Sequence, residues 1–381
     1  MKDKSSQLRI LKGLMNRPDV ECVINACDAG REGELIGRLV YEHAKCTKKL
    51  YRLWISSMEE SAIRDGFDKI IDGKEYDNLY AAASCRERAD WAVGINATRA
   101  FSCAYGVTLN VGRVQSPTLA MIVKRDADIA TFIKKPFFTP VIDCGMFTAF
   151  GDKSENKQET EAIRVACDGK PAAVRAVERQ QKTVAPPKLF DLTSLQREAN
   201  RLYGYTAQQT LDIAQSLYEK AILSYPRSDS RYLTKDMSDT AGGLIAWAQS
   251  DNAYHSGTKF EPNITRITND EKVSDHHAII PTPAIKNVDM NALSASERHI
   301  LTLVIVRMLC AVAPPHRYEA VTANVDCGGY LFVAKGKTVL EDGWKSIETA
   351  FKASLKTKLE KDDDGDSATL PNLAEGRHLK K

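Results

Sequence analysis

No C-x-x-C pair occurs among the nine cysteines, which stand at positions 22, 27, 46, 85, 103, 144, 167, 310 and 327. That scatter argues against a zinc ribbon and against the disulfide framework of a small secreted domain. No apolar run is long enough to span a membrane, and the opening MKDKSSQLRI is not a signal peptide. A cytoplasmic protein without a membrane partner is expected. The formal charge of +3 is a small excess, so a polyanion would have to be held by local patches. The acidic run KDDDGDS is expected to be a solvated loop that offsets a more basic remainder. The tripeptide Gly336–Thr338, GKT, invites comparison with a phosphate-binding loop, but the glycine required five residues before Gly336 is Leu331. It also sits among strand-like segments, so a hairpin is expected there, with no nucleoside triphosphate site. No internal repeat is present.

What the chain does have is an ordinary globular composition, 43% hydrophobic and 27% charged. Its 381 residues suffice for roughly two to four separate cores. VECVINAC (20–27) is an apolar run that ends in the turn chemistry of DAGREG. ELIGRLVYEHA follows with helical spacing of Leu35, Ile36, Leu39 and Val40, so the segment reads as strand, tight turn, helix, as in a parallel α/β layer. The pattern is helical from about Met58 to Phe132, then breaks into short strand-like pieces, FTPVIDCGMFTAF and AAVRAVE, over 137–185. APPKLF marks a boundary. LTSLQREANRLY and TAQQTLDIAQSLYEKA are helices, the second with Thr206 as N-cap. A further helix, ERHILTLVIVRMLCAV, precedes returning strands in YEAVTANVDCGGYLFVAKGKTVL. Strand-rich pieces thus flank a helical insertion, which predicts a β domain interrupted by another domain.

Three constellations carry chemistry. DAGREGE puts Asp28 at the carboxyl end of a strand and Glu32 on the first turn of the next helix, where two carboxylates can hold Mg²⁺. Gly30 and Gly33 allow close backbone approach, and Arg31 can take a phosphate; the alternative is a solvated helix start with acids favoured by the dipole. ILSYPRSDSRYL (222–233) sets Tyr225 before a proline, on stiff extended backbone, with Arg227 suited to phosphate oxygens. It reads equally as a strand-end tyrosine and a polar turn. The preceding helix carries Gln215 and Glu219 on one face, while Leu211, Ala214, Leu217 and Tyr218 form a face that can pack inward. In SDHHAIIPT (274–282), beside an apolar strand, adjacent His276 and His277 point in different directions. One phosphate-facing imidazole or one buried structural histidine fits better than a two-histidine metal site. Arg86, Arg88, Arg99, Arg113, Lys124 and Arg125 stud the helical region, a pattern that solvated helix faces also show. NVGRVQSP sets Arg113, Gln115 and Ser116 at a helix start, a good phosphate position.

Taken together, DAGREGELIGR, RERADWAVGINATRA, NVGRVQSPTLAMIVKRD, ILSYPRSDSRYL and SDHHAIIPT resemble the type IA DNA topoisomerases, closest to their topoisomerase III branch, in family order over roughly residues 8–350. The resemblance implies a multidomain fold combining α/β, α and β parts. These are a partial Toprim metal-binding domain (1–57), a helical DNA-binding domain (58–134), a β arch domain (135–187 and 284–381, with the acidic tail) and, interrupting the arch, a helical domain (188–283) bearing the nucleophilic tyrosine. It places that tyrosine on Tyr225, the phosphate-binding arginine on Arg227, the metal carboxylates on Asp28 and Glu32, the helix partners on Gln215 and Glu219, and the histidine on His276. The single-strand anchors fall on Asp90, Arg113 and Gln115, with Asp229 added to the DNA-binding set. The implied activity is ATP-independent breakage, passage and rejoining of single-stranded DNA through a 5′-phosphotyrosine, with Mg²⁺ as cofactor, in the nucleoid alongside other DNA-processing proteins. Because one phosphodiester replaces another, the missing triphosphate site agrees with this.

Two departures shape the expectation. Many members carry a second aspartate two residues after the first, where this chain has Gly30. The family also begins with an earlier strand and a glutamate-bearing turn, and closes its ring with further segments; this chain is expected to be truncated at both ends. The competing expectation is a catalytically incomplete fragment that only binds single-stranded DNA.

Overall fold

The computed structural model describes residues 2–55, 60–251, 254, 257, 259–355, 370–371, 373, 376 and 378–379. The KDDDGDS run and the boundary drawn at residue 57 lie outside the described residues. The chain is a mixed helix-and-sheet protein that divides into two compact units.

The first unit comprises residues 1–132, 227–239 and 268–279. Helix α1 (Lys2–Met15) leads into strand β1 (Cys22–Asn25), a turn, helix α2 (Arg31–His43), strand β2 (Lys49–Arg52), helix α3 (Glu60–Asp68) and the short strand β3 (Ile71–Asp72). β1 and β2 run parallel, Cys22 opposite Lys49, and β3 joins β2 antiparallel. This is the crossover that the apolar run, glycine turn and 3.6-residue spacing predict. The long helix α4 (Asp77–Tyr105) packs on α2, where Arg38 bonds Asp77 at 2.8 Å and Tyr80 bonds Glu42 at 2.8 Å. Gly106, with φ +70°, ends α4 as a left-handed cap. The loop that follows is laid back along α4 by two hydroxyls: Thr98 accepts from Val111 N–H at 3.0 Å and Ser102 from Leu109 N–H at 2.9 Å. Helix α5 (Gln115–Ala130) then begins at the predicted place.

The second unit holds residues 133–226, 240–267 and 280–381. Strands β4 (Val141–Asp143) and β5 (Thr148–Phe150) precede helix α6 (Lys157–Cys167) and the long strand β6 (Ala172–Val184). Helices α7 (Leu192–Tyr203), α8 (Ala207–Glu219), α9 (Ser238–Ser250, from Thr240 onward in this unit) and α10 (Ala295–Val312) follow. The chain closes with β7 (His316–Cys327), β8 (Tyr330–Glu341), α11 (Trp344–Ser354) and β9 (His378–Leu379). The six strands form one sheet in the order β4-β5-β8-β7-β6-β9, so strands on either side of the helical stretch pair with one another. Its core is Phe147, Ala149, Val321, Val325, Phe332 and Ala334. GKT lies within β8, the second strand of the β7–β8 hairpin whose turn is Gly328–Gly329. α10 is buried nearly all round and packs against α7, α8 and α11. Helices α6 and α11 were not expected from the sequence.

Candidate active site

The loop that carries Asp28 is positioned by a buried cation. Arg52, 1% exposed at the end of β2, donates to the carbonyls of Asn25 at 2.9 Å, Cys27 at 2.7 Å and Asp28 at 2.5 Å. Its Nε lies 3.0 Å from Glu34 of α2, an ion pair too oblique for an aligned hydrogen bond. Glu34 in turn accepts from Arg38 at 2.7 Å and Asn25 at 3.1 Å. One guanidinium thereby ties the loop that carries Asp28 to the helix that carries Glu32. Gly33 is required here, because a Cβ would collide with the Asp28 backbone carbonyl. The Asp28 and Glu32 side chains themselves stay open to solvent, and Arg31 sits 3.9 Å from Glu32.

A second segment meets that loop within the same unit. His276 Nε2 stands 3.4 Å from Asp28 Oδ2, and the neighbouring Asp275 carboxylate occupies the space beside the Gly30 Cα. Desolvation raises the Asp275 pKa, as do the nearby Asp28 and Asp229, against the lowering influence of His276 and Arg31. His277 turns the other way: its Nδ1 lies 2.8 Å from the Ala278 carbonyl oxygen, and desolvation lowers its pKa. The segment is strapped to the residues after Tyr225. Ser228 donates to the His276 carbonyl at 3.1 Å, Ser230 to that of Lys272 at 2.8 Å, Ser274 to Asp229 at 2.7 Å, and Ala278 N–H to Tyr232 at 2.8 Å. The expected apolar strand beside His276 and His277 is only an extended segment, with an isolated antiparallel bridge between Leu223 and Pro281. Arg227 is exposed at the head of this strap. In the loop before α5, Arg113 bonds Asp90 of α4 at 2.7 Å and its guanidinium holds the Asp90 carboxyl below the usual range. Ser116 caps backward, accepting from Gly112 N–H at 3.1 Å, and the Gln115 side chain lies against Gly112.

Tyr225, Gln215 and Glu219 belong to the second unit. Thr206 caps α8 as expected, accepting from Gln209 N–H at 3.1 Å while Gln209 reaches back to Thr206 N–H at 2.9 Å. Gln215 donates to Glu219 at 3.0 Å across one turn. Ala214 and Leu217 pack inward, but Tyr218 does not. It stays 41% exposed and stands edge-on to Tyr225, ring centres 5.4 Å apart. The last turn of α8 is anchored by Glu297 of α10, which accepts from Ser216 at 2.8 Å and Lys220 at 2.5 Å. Ala221, at φ +57°, turns the chain out of α8, and residues 222–224 then run beside 280–282. Thr282 N–H bonds Ile222 at 2.9 Å, and Ser224 N–H bonds Ile280 at 2.9 Å. Tyr225 is thus delivered, half-buried, from a fixed turn onto Pro226.

Sequence reasoning passed over Arg52, Glu34, Asp275 and Glu297. Glu34 and Asp275 lie inside motifs already singled out, and Glu297 is the acid of the Ser294-x-x-Glu297 capping pattern that opens α10, whereas nothing local marks Arg52. Among the described residues no three His, Cys, Asp or Glu side chains are grouped tightly enough to chelate a metal unaided. Mg²⁺ asks for less: one or two carboxylates, with water and phosphate oxygens completing its shell. The hard oxygen donors of Asp28 and Glu32, open to solvent on a rigid loop, fit that ion. A cavity of about 390 Å³ at one end of the sheet, lined by Cys144, Cys167, Cys327 and Phe332, includes none of these residues.

Residues 74–381 match the family model described as DNA topoisomerase. DNA topoisomerase 3 of Bacillus licheniformis is 40% identical over 394 residues, covering 100% of this chain and 53% of that protein. DNA topoisomerase 3 of Bacillus subtilis is 39% identical over 392 residues, with the same coverage. The chain therefore spans about half the length of these curated relatives. In fold, it is similar to full-length topoisomerase I from Thermotoga maritima, with a TM-score of 0.71 at 23% identity over 100% of this chain and 61% of that one. No helix among the described residues is long and apolar enough to cross a membrane.

Proposed function

Because this chain belongs to the type IA DNA topoisomerases, in their topoisomerase III-like branch, we propose that it breaks, passes and rejoins single-stranded DNA with Tyr225 as nucleophile. In the first step the Tyr225 phenolate oxygen bonds to a backbone phosphorus and the P–O3′ bond breaks, leaving a 5′-phosphotyrosine and a free 3′-hydroxyl. Reversal of the step reseals the strand, so no ATP is consumed. The net effect is relaxation of negative supercoils or decatenation. The β1–α2–β2 region acts as the Toprim metal-binding region, α3–α5 as the DNA-binding helices, the six-stranded sheet as the arch, and α7–α9 as the tyrosine-bearing domain.

A phenol of ordinary pKa near 10 needs cationic neighbours, and the departing oxygen needs a proton or a positive charge. Arg227 neutralises the attacked phosphate; Gln215 and Glu219 orient the groups around the tyrosine; His276, steadied by Asp28, donates to phosphate oxygen. Asp28 and Glu32 would hold Mg²⁺, which supplies charge neutralisation at phosphate. Asp90, Arg113, Gln115, Ser116, Arg31 and Asp229 line the path of the single strand. The observation that carries this reading is the meeting of Asp28 with His276 at 3.4 Å, which joins two motifs from opposite halves of the chain at one place.

The test is Tyr225→Phe, which removes only the hydroxyl. A 3′-labelled single-stranded oligonucleotide incubated with the wild-type protein should give a covalent adduct on a denaturing gel. The variant should give none, while binding the oligonucleotide within about twofold of wild type, since the phosphate contacts remain. An adduct that persists in the variant would remove Tyr225 from the role.

A further inference from the structure

Tyr218 is an aromatic side chain whose course core packing does not explain. Helical spacing groups it with Leu211, Ala214 and Leu217, and both Ala214 and Leu217 are fully buried. The Tyr218 ring nonetheless stays 41% exposed. It stands against Tyr225 instead, with ring centres 5.4 Å apart and planes at 77°. In that arrangement the positive rim of one ring meets the negative face of the other.

The chain between the two rings is fixed through its backbone. Ala221 N–H donates to the Tyr218 carbonyl at 2.8 Å, and the N–H groups of Ile222 and Leu223 donate to the Leu217 carbonyl at 3.0 and 3.3 Å. Ser224 bonds Ile280 in both directions: its N–H donates to the Ile280 carbonyl at 2.9 Å, and its hydroxyl accepts from Ile280 N–H at 3.0 Å. Pro226 is buried, and its ring sets its own φ. The Cα positions of both tyrosines are therefore set, and the freedom left to Tyr225 is rotation of its side chain. Outside a helix a tyrosine chooses among three staggered χ1 wells, and each puts the hydroxyl in a different place. Tyr218 has fewer choices, because a helix disfavours the well near +60°. The more restricted ring limits the freer one.

Attack on phosphorus makes that limit useful. A nucleophilic oxygen has to lie about 3–3.5 Å from the reacting atom and in line with the bond that breaks, and a misplacement of about 1 Å can cost roughly 10²-fold. We propose that Tyr218 is a positioning residue for strand cleavage, its ring selecting the direction in which Tyr225 presents its hydroxyl. This role rests on the reading of Tyr225 as the nucleophile. It belongs to the ring and not to the Tyr218 hydroxyl, and to the rate of cleavage and not to the affinity for DNA.

The experiment compares wild type, Y218L, Y218F and Y225F in two measurements on the chain. Y218L leaves the inward packing of Ala214 and Leu217 untouched. The first measurement follows the Tyr225 ring resonances in the ring-labelled protein by NMR, assigned by their absence in Y225F; Y218L should move them and Y218F far less. The second follows adduct formation with a saturating 3′-labelled single-stranded oligonucleotide. Y218L should slow it roughly three- to tenfold, the factor that an edge-on aromatic pair is worth, with Kd for the oligonucleotide within about twofold of wild type. Restoring the ring alone in Y218F should return the rate to within about twofold. Unmoved Tyr225 resonances in Y218L, or a wild-type rate despite moved ones, would overturn the proposal. So would a Y218F variant as slow as Y218L, which would assign the effect to the hydroxyl. A weakened Kd with an unchanged rate at saturation would make Tyr218 a DNA contact and overturn it too. No adduct from wild type, or an equal one from Y225F, would remove the nucleophile reading itself, and the role of Tyr218 with it.

Discussion

Glu297 sets how firmly the tyrosine-bearing turn is held, and its loss has a calculable cost. The carboxylate accepts from Ser216 and Lys220 of α8 through one oxygen, and from the Ser294 N–H and hydroxyl, at 3.0 and 2.9 Å, through the other. It is therefore at once the capping-box acid of α10 and the anchor for the last turn of α8. Those donors, Lys220 first, hold its carboxyl at about 2 against an ordinary 4.5. A depression of that size corresponds to about 3 kcal/mol, and since the Lys220 side chain is 46% exposed, about 2 kcal/mol is the better expectation. Because the folded pKa is depressed, this stabilisation is present above pH 4.5 and is lost as the pH falls toward 2. Glu297→Ala should lower the urea-unfolding free energy by about 2–3 kcal/mol at pH 7, cap and ion pair together, and Glu297→Gln by less. The difference between wild type and Glu297→Ala should shrink as the pH is lowered from 5 to 3. Equal stability at pH 7, or a gap that does not change with pH, would refute the role given to this carboxylate.

Three further outcomes follow from buried ionisable groups. Arg52→Met should destabilise the first unit by about 3–5 kcal/mol in urea unfolding, since it removes the buried cation paired with Glu34 and one donor from each of three loop carbonyls; a loss under about 1 kcal/mol would contradict the network. Arg52→Lys should recover little of it, because an ammonium cannot reach the carbonyls of Asn25, Cys27 and Asp28 together. His277 is kept neutral by desolvation, so its folded pKa lies below the ordinary 6.5 and the unfolded chain binds the extra proton. Thermal stability should therefore decline as the pH drops through 6.5, and His277→Gln should flatten that decline; an unchanged slope would show that another group is responsible.

The elements that sequence reasoning finds are those whose signals are local. β1, the glycine turn and α2 follow from an apolar run meeting a 3.6-residue repeat, and α7, α8 and α10 each begin at a residue that caps them, Asp191, Thr206 and Ser294. α11 was equally legible in retrospect, since Trp344, Ile347 and Phe351 recur at helical spacing and are all buried. α6 is harder. Its one fully buried residue is Cys167, and only the Asn156 cap announces it. Tyr218 was misjudged because a helix face predicts which side turns inward but not where the packing partner ends.

The site divides along the same line. The placement of Asp28 and Glu32 around one loop, and of Gln215 and Glu219 on one helix face, can be read because each depends on a neighbour within about one turn. Gly30 could not be read, because a glycine in a turn suggests backbone freedom, and here the backbone is ordinary and extended. The reason for glycine is steric and comes from Asp275, far along the chain, whose own motif gives no hint that it faces residue 30.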